Sequence, residues 1–330
     1  MSKAKHTFTP DPAQMALWPT VSGNTINGLG EATAERPRPI YWHDPNSTPH
    51  GPLQRWFYAR SADNPVLASA RAQRQAILDT PLAPLAQQAV ALQDWEWVAK
   101  LRQAATELGA DLFGITPMRE EWIFEGHTVT QRWIIMIGVA HSFDAMKTAP
   151  ASHAAAEVVR QYGRGSRIAK GIASLIREHG HEAQPHGGPM AGPMVLIPPA
   201  LACGFGELGK HGSIINRQFG SSFRLACVLT DIPLVADRPD TFGADDFCVN
   251  CRVCVDACPP DAIFASKQLV RGAQKWYVDF DKCLPYFNET MGCGICVVTC
   301  PWSRPGVALN LVEKMAARRP SKPLVESSSP

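Results

Sequence analysis

The spacing of eight cysteines towards the end of this 330-residue chain limits its fold more than any other feature. The stretch CVNCRVCVDACP, which begins at Cys248, has the pattern CxxCxxCxxxCP, and CLPYFNETMGCGICVVTCP follows from Cys283. Bacterial ferredoxins bind iron–sulfur clusters with such runs, and the fourth cysteine of a run ligates the other cluster. The pattern therefore predicts a compact electron-transfer module with two [4Fe–4S] clusters.

The fourth cysteine of each run is expected to ligate the cluster of the other run, and we call this the crossing rule. It divides the eight cysteines into two sets. The first cysteine set is Cys248, Cys251, Cys254 and Cys300, and the second cysteine set is Cys258, Cys283, Cys293 and Cys296. Nine residues separate Cys283 from Cys293, so the inserted LPYFNETMG is expected to form a loop beside the second cluster. A pair of zinc sites is the alternative, because CxxC pairs also suit zinc, but zinc has no use for the crossed CxxxCP ending.

Composition narrows the range of partners. Charged residues make up 19% of the chain and the formal net charge is +2, so no strong field would attract nucleic acid or an anionic membrane. The N-terminal sequence has neither a twin arginine nor an apolar signal stretch, and the longest apolar run, WIIMIGVA, is too short to span a membrane. Because clusters need a reducing compartment for assembly, we expect a cytoplasmic protein with no membrane anchor and no nucleic-acid partner.

The chain divides into four segments by pattern. Residues 1–90 hold eleven of the 28 prolines and are interpreted as an irregular wrapping segment; a disordered tail is the alternative, although several aromatic residues favour packing. Residues 91–242 alternate helices and strands, with helices expected at 92–109 and 152–180 and strands at ADLFGIT, RWIIMIGVAHSF and FRLACVLTDIPL. Residues 243–306 form the ferredoxin-like module, and 307–330 form a tail that begins as a helix.

Two longer stretches resemble the cobalamin-dependent reductive dehalogenases. They are PPALACGFGELGKHGSIINRQFGSSFRLACVLTDIPL from Pro198 and KWYVDFDKCLPYFNETMGCGICVVTCPWSRPG from Lys275. The resemblance covers about residues 90–310, and GELG with the following INxxFG is also similar to the epoxyqueuosine reductases. It implies an α+β fold, in which a nitroreductase-like, cobalamin-binding α/β sandwich is followed by a two-cluster bacterial ferredoxin-like module.

The resemblance also implies an activity. A soluble, non-exported enzyme of this type would dehalogenate a small organohalide, with aromatic compounds favoured, by means of Co(I) cobalamin that receives electrons from two 4Fe–4S clusters. An external ferredoxin, flavodoxin or reductase would supply the electrons. Two alternatives remain: a tRNA-modifying enzyme similar to epoxyqueuosine reductase, and a non-catalytic corrinoid-binding or electron-carrier protein. The near-neutral charge disfavours the first, and the 240 residues ahead of the clusters are excessive for the second.

Catalytic residues follow from the resemblance. The tyrosine that donates a proton would be Tyr162, ahead of the helix end that reads IREHGHEA, and its basic partner would be Lys210, at the end of GELGK. A lysine ammonium beside a phenol favours the phenolate, which suits a general acid. A core tyrosine and a surface lysine are the alternative interpretation.

The remaining candidates are binding residues. The glycine-rich GFGELGKHG would let the backbone approach a flat corrin closely, and the expected cofactor contacts are Gly206, Gly209, His211, Gly212 and Asn216. A tight turn between two elements is the alternative for these glycines. Arg271 and Trp276, just ahead of the second run, are candidate substrate contacts, while Cys203 and Cys227 are expected to be small buried hydrophobic residues.

Overall fold

A computed structural model describes residues 8–189 and 192–318. The helices in these residues are α1 Pro12–Met15, α2 Gly23–Ile26, α3 Gly51–Arg60, α4 Pro65–Asp79, α5 Asp94–Glu107, α6 Phe143–Met146, α7 Ser152–Glu178, α8 Ile197–Ala202, α9 Ala244–Asn250, α10 Val253–Ala257, α11 Phe280–Glu289, α12 Ile295–Thr299 and α13 Val307–Arg318. The strands are β1 Leu112–Pro117, β2 Trp133–Ala140, β3 Ala183–Gly187, β4 Glu207–Leu208, β5 Ile214–Ile215, β6 Phe223–Thr230, β7 Gln268–Val270 and β8 Ala273–Lys275.

The central sheet has the strand order β1-β2-β6-β3, and every neighbouring pair is antiparallel. Strand β2 lies in the middle, where Ile135 is opposite Ile115 on one side and Val228 on the other. The rest of its apolar run is buried in the same way, as predicted for WIIMIGVA. The mixed α/β architecture expected from the sequence is confirmed, while its nitroreductase-like character stays a prediction.

Both faces of this sheet are covered. Successive side chains of a strand point to opposite faces, so Ile135 and Ile137 pack with α5 and α7, whereas Ile134 and Met136 pack with α8 and its neighbours. Helix α5 begins with a capping box and buries Trp97 and Leu101, as its amphipathic pattern predicts. The sheet and its two helix layers form the platform on which the candidate site lies.

Helix α7 approaches the sheet closely. A Cβ atom added at Gly165 would lie 3.2 Å from the Cβ atom of Ala226 on β6, so a larger residue would push the helix away from the strand. Tyr162 lies one turn earlier on the same helix and is therefore held near the start of β6. Although α7 has 27 residues, neither it nor another helix within the described ranges is long and apolar enough to cross a membrane.

Two regions differ from the expectations. The segment before residue 90 contains α3 and α4 as well as irregular stretches, and α4 packs along α7. The insertion LPYFNETMG was expected to be a loop, but its first six residues belong to α11. Asp279 caps α11 by accepting a hydrogen bond from the Lys282 amide at 3.1 Å, which allows a helix to form despite Pro285. The domain boundaries stay predictions, and residues 319–330 lie outside the described residues.

Candidate active site

The first cysteine set is brought together by three short helices. Cys248 lies on α9, Cys254 lies on α10, and Cys300 directly follows α12. Burial raises the pKa of the Cys300 thiol to about 12, and the neighbouring Cys248, Cys254 and Cys251 raise it further. The four thiols are therefore electrostatic neighbours, as the crossing rule requires.

The second cysteine set is grouped in the same way. Burial raises the pKa of the Cys296 thiol well above its usual value, and Cys283, Cys293 and Cys258, followed by Cys254 of the first set, add to this rise. Cys258 thus lies with the second run although it belongs to the first motif in sequence. Within the described residues no three Cys, His, Asp or Glu side chains stand close enough to bind one metal ion directly. Iron binding would have to remove the thiol protons.

Lys210 lies beneath the first cysteine set. Its side chain is buried, with 2% of the residue exposed, and its ammonium donates hydrogen bonds to the carbonyl oxygens of Cys251 at 2.9 Å and Val249 at 3.3 Å. The same ammonium lies 4.9 Å from the centre of the Trp276 ring. These contacts hold the Lys210 side chain against the loop that carries Cys251.

Tyr162 has a different cation beside it. The Arg224 guanidinium, at the start of β6, lies 5.6 Å from the centre of the Tyr162 ring. The expected pair of Tyr162 and Lys210 is not formed among the described contacts, because the Lys210 ammonium is directed towards the first cysteine set; the catalytic roles of both residues stay predictions. The sequence reasoning missed Arg224, although a charged residue at the start of an apolar buried strand, within the stretch that carries the resemblance, was a usable signal.

His141 extends this polar group. It is 8% exposed, and its Nδ1 atom lies 3.4 Å from the Ser222 hydroxyl. Burial lowers the pKa of His141 well below its usual value, and the charge of Arg224 lowers it further. His141 is therefore neutral at pH 7 and is able to donate or accept a hydrogen bond through Nε2.

Several buried polar atoms around this group have no partner in the described residues. They are Arg224 Nε, His141 Nε2, Ser166 Oγ, His186 Nε2 and Arg74 Nε. A cavity of about 230 Å³ between α4, α7 and β3 is lined by Ser166, Lys170 and His186. Unpartnered buried donors are costly unless a ligand satisfies them, and a corrin ring carries many amide groups that accept hydrogen bonds. The residues on this side of the sheet fit a corrinoid in their donor chemistry.

The second cysteine set lies close to this side of the sheet. Met291, two residues before Cys293 in the chain, packs against a cluster that includes Ala155 and Ala156 on α7. Ala155 is seven residues before Tyr162, which corresponds to two turns or about 10 Å on the same helix face. Of the two sets, the second is therefore associated with the helix that carries Tyr162.

The glycine-rich stretch forms the β4–β5 hairpin. A Cβ atom at Gly206 would collide with the carbonyl oxygen of Ile215, and one at Gly212 would lie 3.1 Å from Val278. His211 is buried and its Nε2 lies 2.9 Å from the Ser221 hydroxyl, while Asn216 donates to the Phe205 carbonyl at 3.0 Å. Gly209 packs against His211 and Ile215 of the hairpin itself. These contacts favour the tight-turn interpretation; a cofactor role for this stretch stays a prediction.

The two candidate substrate residues, Arg271 and Trp276, contact different parts of the chain. Arg271 donates a hydrogen bond to the Ile26 carbonyl at 2.8 Å and thereby holds the N-terminal segment. Trp276 is 5% exposed, donates to Asp245 at 2.6 Å and borders a cleft of about 530 Å³ that also includes Gly206 and Lys275. The cleft thus joins one predicted cofactor residue with one predicted substrate residue.

Comparison with known proteins shows which proteins this chain is similar to. Residues 247–304 match the family described as a 4Fe-4S dicluster domain. A tetrachloroethene reductive dehalogenase of Desulfitobacterium hafniense is 26% identical over 294 residues, covering 69% of this chain and 53% of the relative. The solved structure of the catabolic reductive dehalogenase NpRdhA matches with a TM-score of 0.74 and 23% identity, over 91% of this chain and 46% of that chain.

This chain is similar to the reductive dehalogenases over 69% of its length. The resemblance found in the sequence is confirmed, and so is the presence of a 4Fe–4S domain. The chain spans about half the length of the curated dehalogenases that it matches. An epoxyqueuosine reductase of Leadbetterella byssophila is 35% identical, but over 121 residues that cover only 32% of this chain and 35% of the relative. The match to the dehalogenases is therefore the broader one.

Proposed function

We propose that this chain catalyses the reductive dehalogenation of a small organohalide, for which aromatic compounds are the favoured class, and that it binds two [4Fe–4S] clusters and a corrinoid. The observation that carries the proposal is the Arg224 guanidinium over the Tyr162 ring, on a face lined by unpartnered buried donors. Similarity to the reductive dehalogenases supports the reaction class, and the two cysteine sets support two clusters.

The corrinoid is supported by a relative and by donor chemistry. One matching solved structure, with a TM-score of 0.74, is of a reductive dehalogenase whose dehalogenation is B12-dependent. In this chain Arg224, His141 and His186 would hold the group through the donors that lack partners. A bound corrinoid would supply the reducing cobalt chemistry that breaks the carbon–halogen bond.

Tyr162 would act as the general acid. Its hydroxyl would donate a proton to the substrate carbon while halide leaves, and the tyrosinate that results would be stabilised by the Arg224 guanidinium. Helix α7 and strand β6 fix these two side chains, and the packed sheet behind them excludes water. The protein's part in the chemistry is thus proton delivery, orientation and exclusion of solvent.

The electron path would run from the first cysteine set to the second. Val249 and Val253, beside the first cysteines, are 57% and 39% exposed, so a donor protein can approach this side. The second set is associated with α7 and hence with Tyr162. An external ferredoxin, flavodoxin or reductase would deliver the electrons.

The test uses the full chain reconstituted with iron, sulfide and cobalamin and supplied with a strong reductant. Halide release would be measured with halogenated phenols, with tetrachloroethene, and with 3-bromo-4-hydroxybenzoic acid, which is bound in one solved relative. Tyr162→Phe should lower the rate roughly 100-fold or more while leaving iron and corrinoid content unchanged. Tyr58→Phe is the matched control, since Tyr58 interacts with Tyr162 but pairs with Arg71 instead of Arg224.

Arg224→Lys and Arg224→Met separate charge from packing. The lysine variant should keep more activity than the methionine variant, because only lysine retains a cation beside the phenol. Undiminished halide release from Tyr162→Phe would contradict the assignment of the acid. Failure of every organohalide, together with tight, salt-sensitive binding of tRNA, would favour the epoxyqueuosine reductase alternative.

A further inference from the structure

Lys210 is a buried cation whose donors are all used. Its ammonium has three N–H groups, and three acceptors surround it: the carbonyl oxygens of Cys251 and Val249 and the face of the Trp276 ring. Burying an ammonium is costly unless hydrogen bonds and an aromatic face compensate for the lost water. This full set of partners replaces the water that an ammonium at this position would lose.

The charge of Lys210 lies directly against the first cysteine set. Two of its acceptors belong to the segment that includes Cys251, and its own backbone amide donates a hydrogen bond to Cys248 Sγ at 3.5 Å. Hydrogen bonds to the sulfur atoms and nearby charge are two of the factors that set the potential of an iron–sulfur cluster. Lys210 supplies both to the first set.

The second cysteine set has the opposite electrostatic surroundings. The charged side chains that act on its thiols are carboxylates, with Asp279 acting on Cys283 and Asp261 on Cys258. Among the described residues, the largest electrostatic effects on the four thiols of this set come from other cysteines and from carboxylates, and none comes from a lysine or arginine. The two predicted clusters therefore differ in the sign of the charged side chain with the largest effect on their thiols.

We propose that Lys210 raises the reduction potential of the first cluster above that of the second, so that the first cluster accepts and holds an electron before the second is reduced. Each reduction adds a negative charge to the cluster, and a buried cation stabilises that charge most where water is excluded. Lys210 thus determines which cluster is reduced first. This inference depends on the two clusters of the proposed function but not on the corrinoid.

The test is a redox titration followed by electron paramagnetic resonance, on the full chain reconstituted with iron and sulfide and without cobalamin. The wild-type chain should show two one-electron steps. Lys210→Gln keeps an N–H donor and removes the charge, so it should lower the higher of the two potentials while the other stays in place. We expect at least a tenfold change in that reduction equilibrium, which corresponds to 59 mV for one electron.

Two further variants make the result decisive. Lys210→Arg keeps the charge and should keep the higher potential close to wild type. Lys267→Met is the matched control, because Lys267 also lies over the Trp276 ring, at 5.4 Å, but pairs with Asp245 at the surface and should shift neither potential. The proposal is overturned if Lys210→Gln leaves both potentials unchanged, or if the Gln and Arg variants both lose four irons per chain, since a purely structural role would then suffice.

Because no halide or corrinoid enters this titration, its result is independent of whether the chain dehalogenates anything. A chain that shows the potential shift but releases no halide would support the role of Lys210 and contradict the proposed reaction. A chain that releases halide but shows no potential shift would support the proposed reaction and contradict the role of Lys210.

Discussion

The two cysteine sets are held in place by different kinds of structure. The first set is supported from within, by the β4–β5 hairpin, Lys210 and an apolar cluster that includes Trp276 and Trp302. The second set is supported by α11, which itself carries Cys283, and from outside by the N-terminal segment that packs against this helix. Two halves of one sequence motif thus depend on quite different parts of the chain.

Hydrogen bonds join the N-terminal segment to α11 and to Asp279, the residue that caps this helix. Asn24 donates to the Asp279 carboxylate at 2.8 Å, and the Asp11 amide donates to Glu289 at 2.7 Å. Tyr41 donates to the buried Asn288 at 2.7 Å. Each bond joins residues more than 240 positions apart, so the second set depends on long-range contacts while Lys210 lies about 40 residues from the loop that it supports.

The largest expected effect comes from replacing Cys258, the cysteine of the first run that is expected to ligate the second cluster. Cys258→Ala should remove about four of the roughly eight irons per chain, because one [4Fe–4S] cluster loses a ligand. Since Cys258 lies with the second set, the spectrum of the surviving cluster should match that of Cys296→Ala and differ from that of Cys251→Ala. Iron and sulfide analysis with electron paramagnetic resonance provides the measurement.

Cys203→Ala is the control for this prediction. Cys203 is buried and lies outside both sets, so its replacement should leave all of the iron in place. A surviving spectrum of Cys258→Ala that matches Cys251→Ala would mean that Cys258 belongs to the first set and that the motif is not crossed.

The sequence predicted features that depend on short-range patterns. The cysteine spacing led to the two sets, and apolar periodicity led to α5, α7 and the buried strand β2. Cys203 and Cys227 are buried as expected for isolated cysteines. In each case the residues that determine the structure lie within one element.

Features that depend on distant partners were not predictable in the same way. A proline inside LPYFNETMG favours a loop locally, and α11 forms because its apolar side, with Leu284, packs against Tyr41 and Leu53 of the distant N-terminal segment. Likewise, the cation beside Tyr162 could not be chosen by spacing, since Lys210 and Arg224 both follow it and only the fold brings Arg224 onto the ring. The Asp279 cap was the one local sign of α11.

A smaller effect is expected from loosening the external support of the second set. Asn288→Ala removes the acceptor of the Tyr41 hydroxyl, and a buried hydroxyl without a partner costs about 2 kcal/mol in the free energy of unfolding. Asn288 has no exposed surface, so water cannot replace it. Chemical denaturation of the reconstituted chain measures the change.

Asn310→Ala is the matched control, because Asn310 donates to the Gly306 carbonyl at the surface, and its loss should change stability by no more than about 0.5 kcal/mol. Iron should leave the second set of Asn288→Ala at lower denaturant concentration than in wild type. Equal destabilisation by the two alanine variants would mean that the N-terminal segment does not support α11.

The smallest expected effect concerns the internal support of the first set and its dependence on pH. His211 accepts a hydrogen bond from the Ser213 amide and lies against Ser221, whose amide in turn donates to Ser303 of the ferredoxin-like module. Burial lowers the pKa of His211 to about 4, against 6.5 in the unfolded chain. Between these values the unfolded chain binds the proton and the folded chain does not, so stability falls as pH decreases through this window.

At about pH 5.5 this loss amounts to roughly 1.4 kcal/mol relative to neutral pH. His211→Asn cannot bind that proton, so its free energy of unfolding should change less between about pH 7.5 and pH 5.5, although the variant is less stable at neutral pH. Thermal denaturation of both chains over this range gives the comparison. The carboxylates that support the second set are present in both chains, so their effect cancels in the difference in free energy of unfolding between wild type and variant. If this difference does not change with pH, His211 is already protonated, or solvated, in the folded chain.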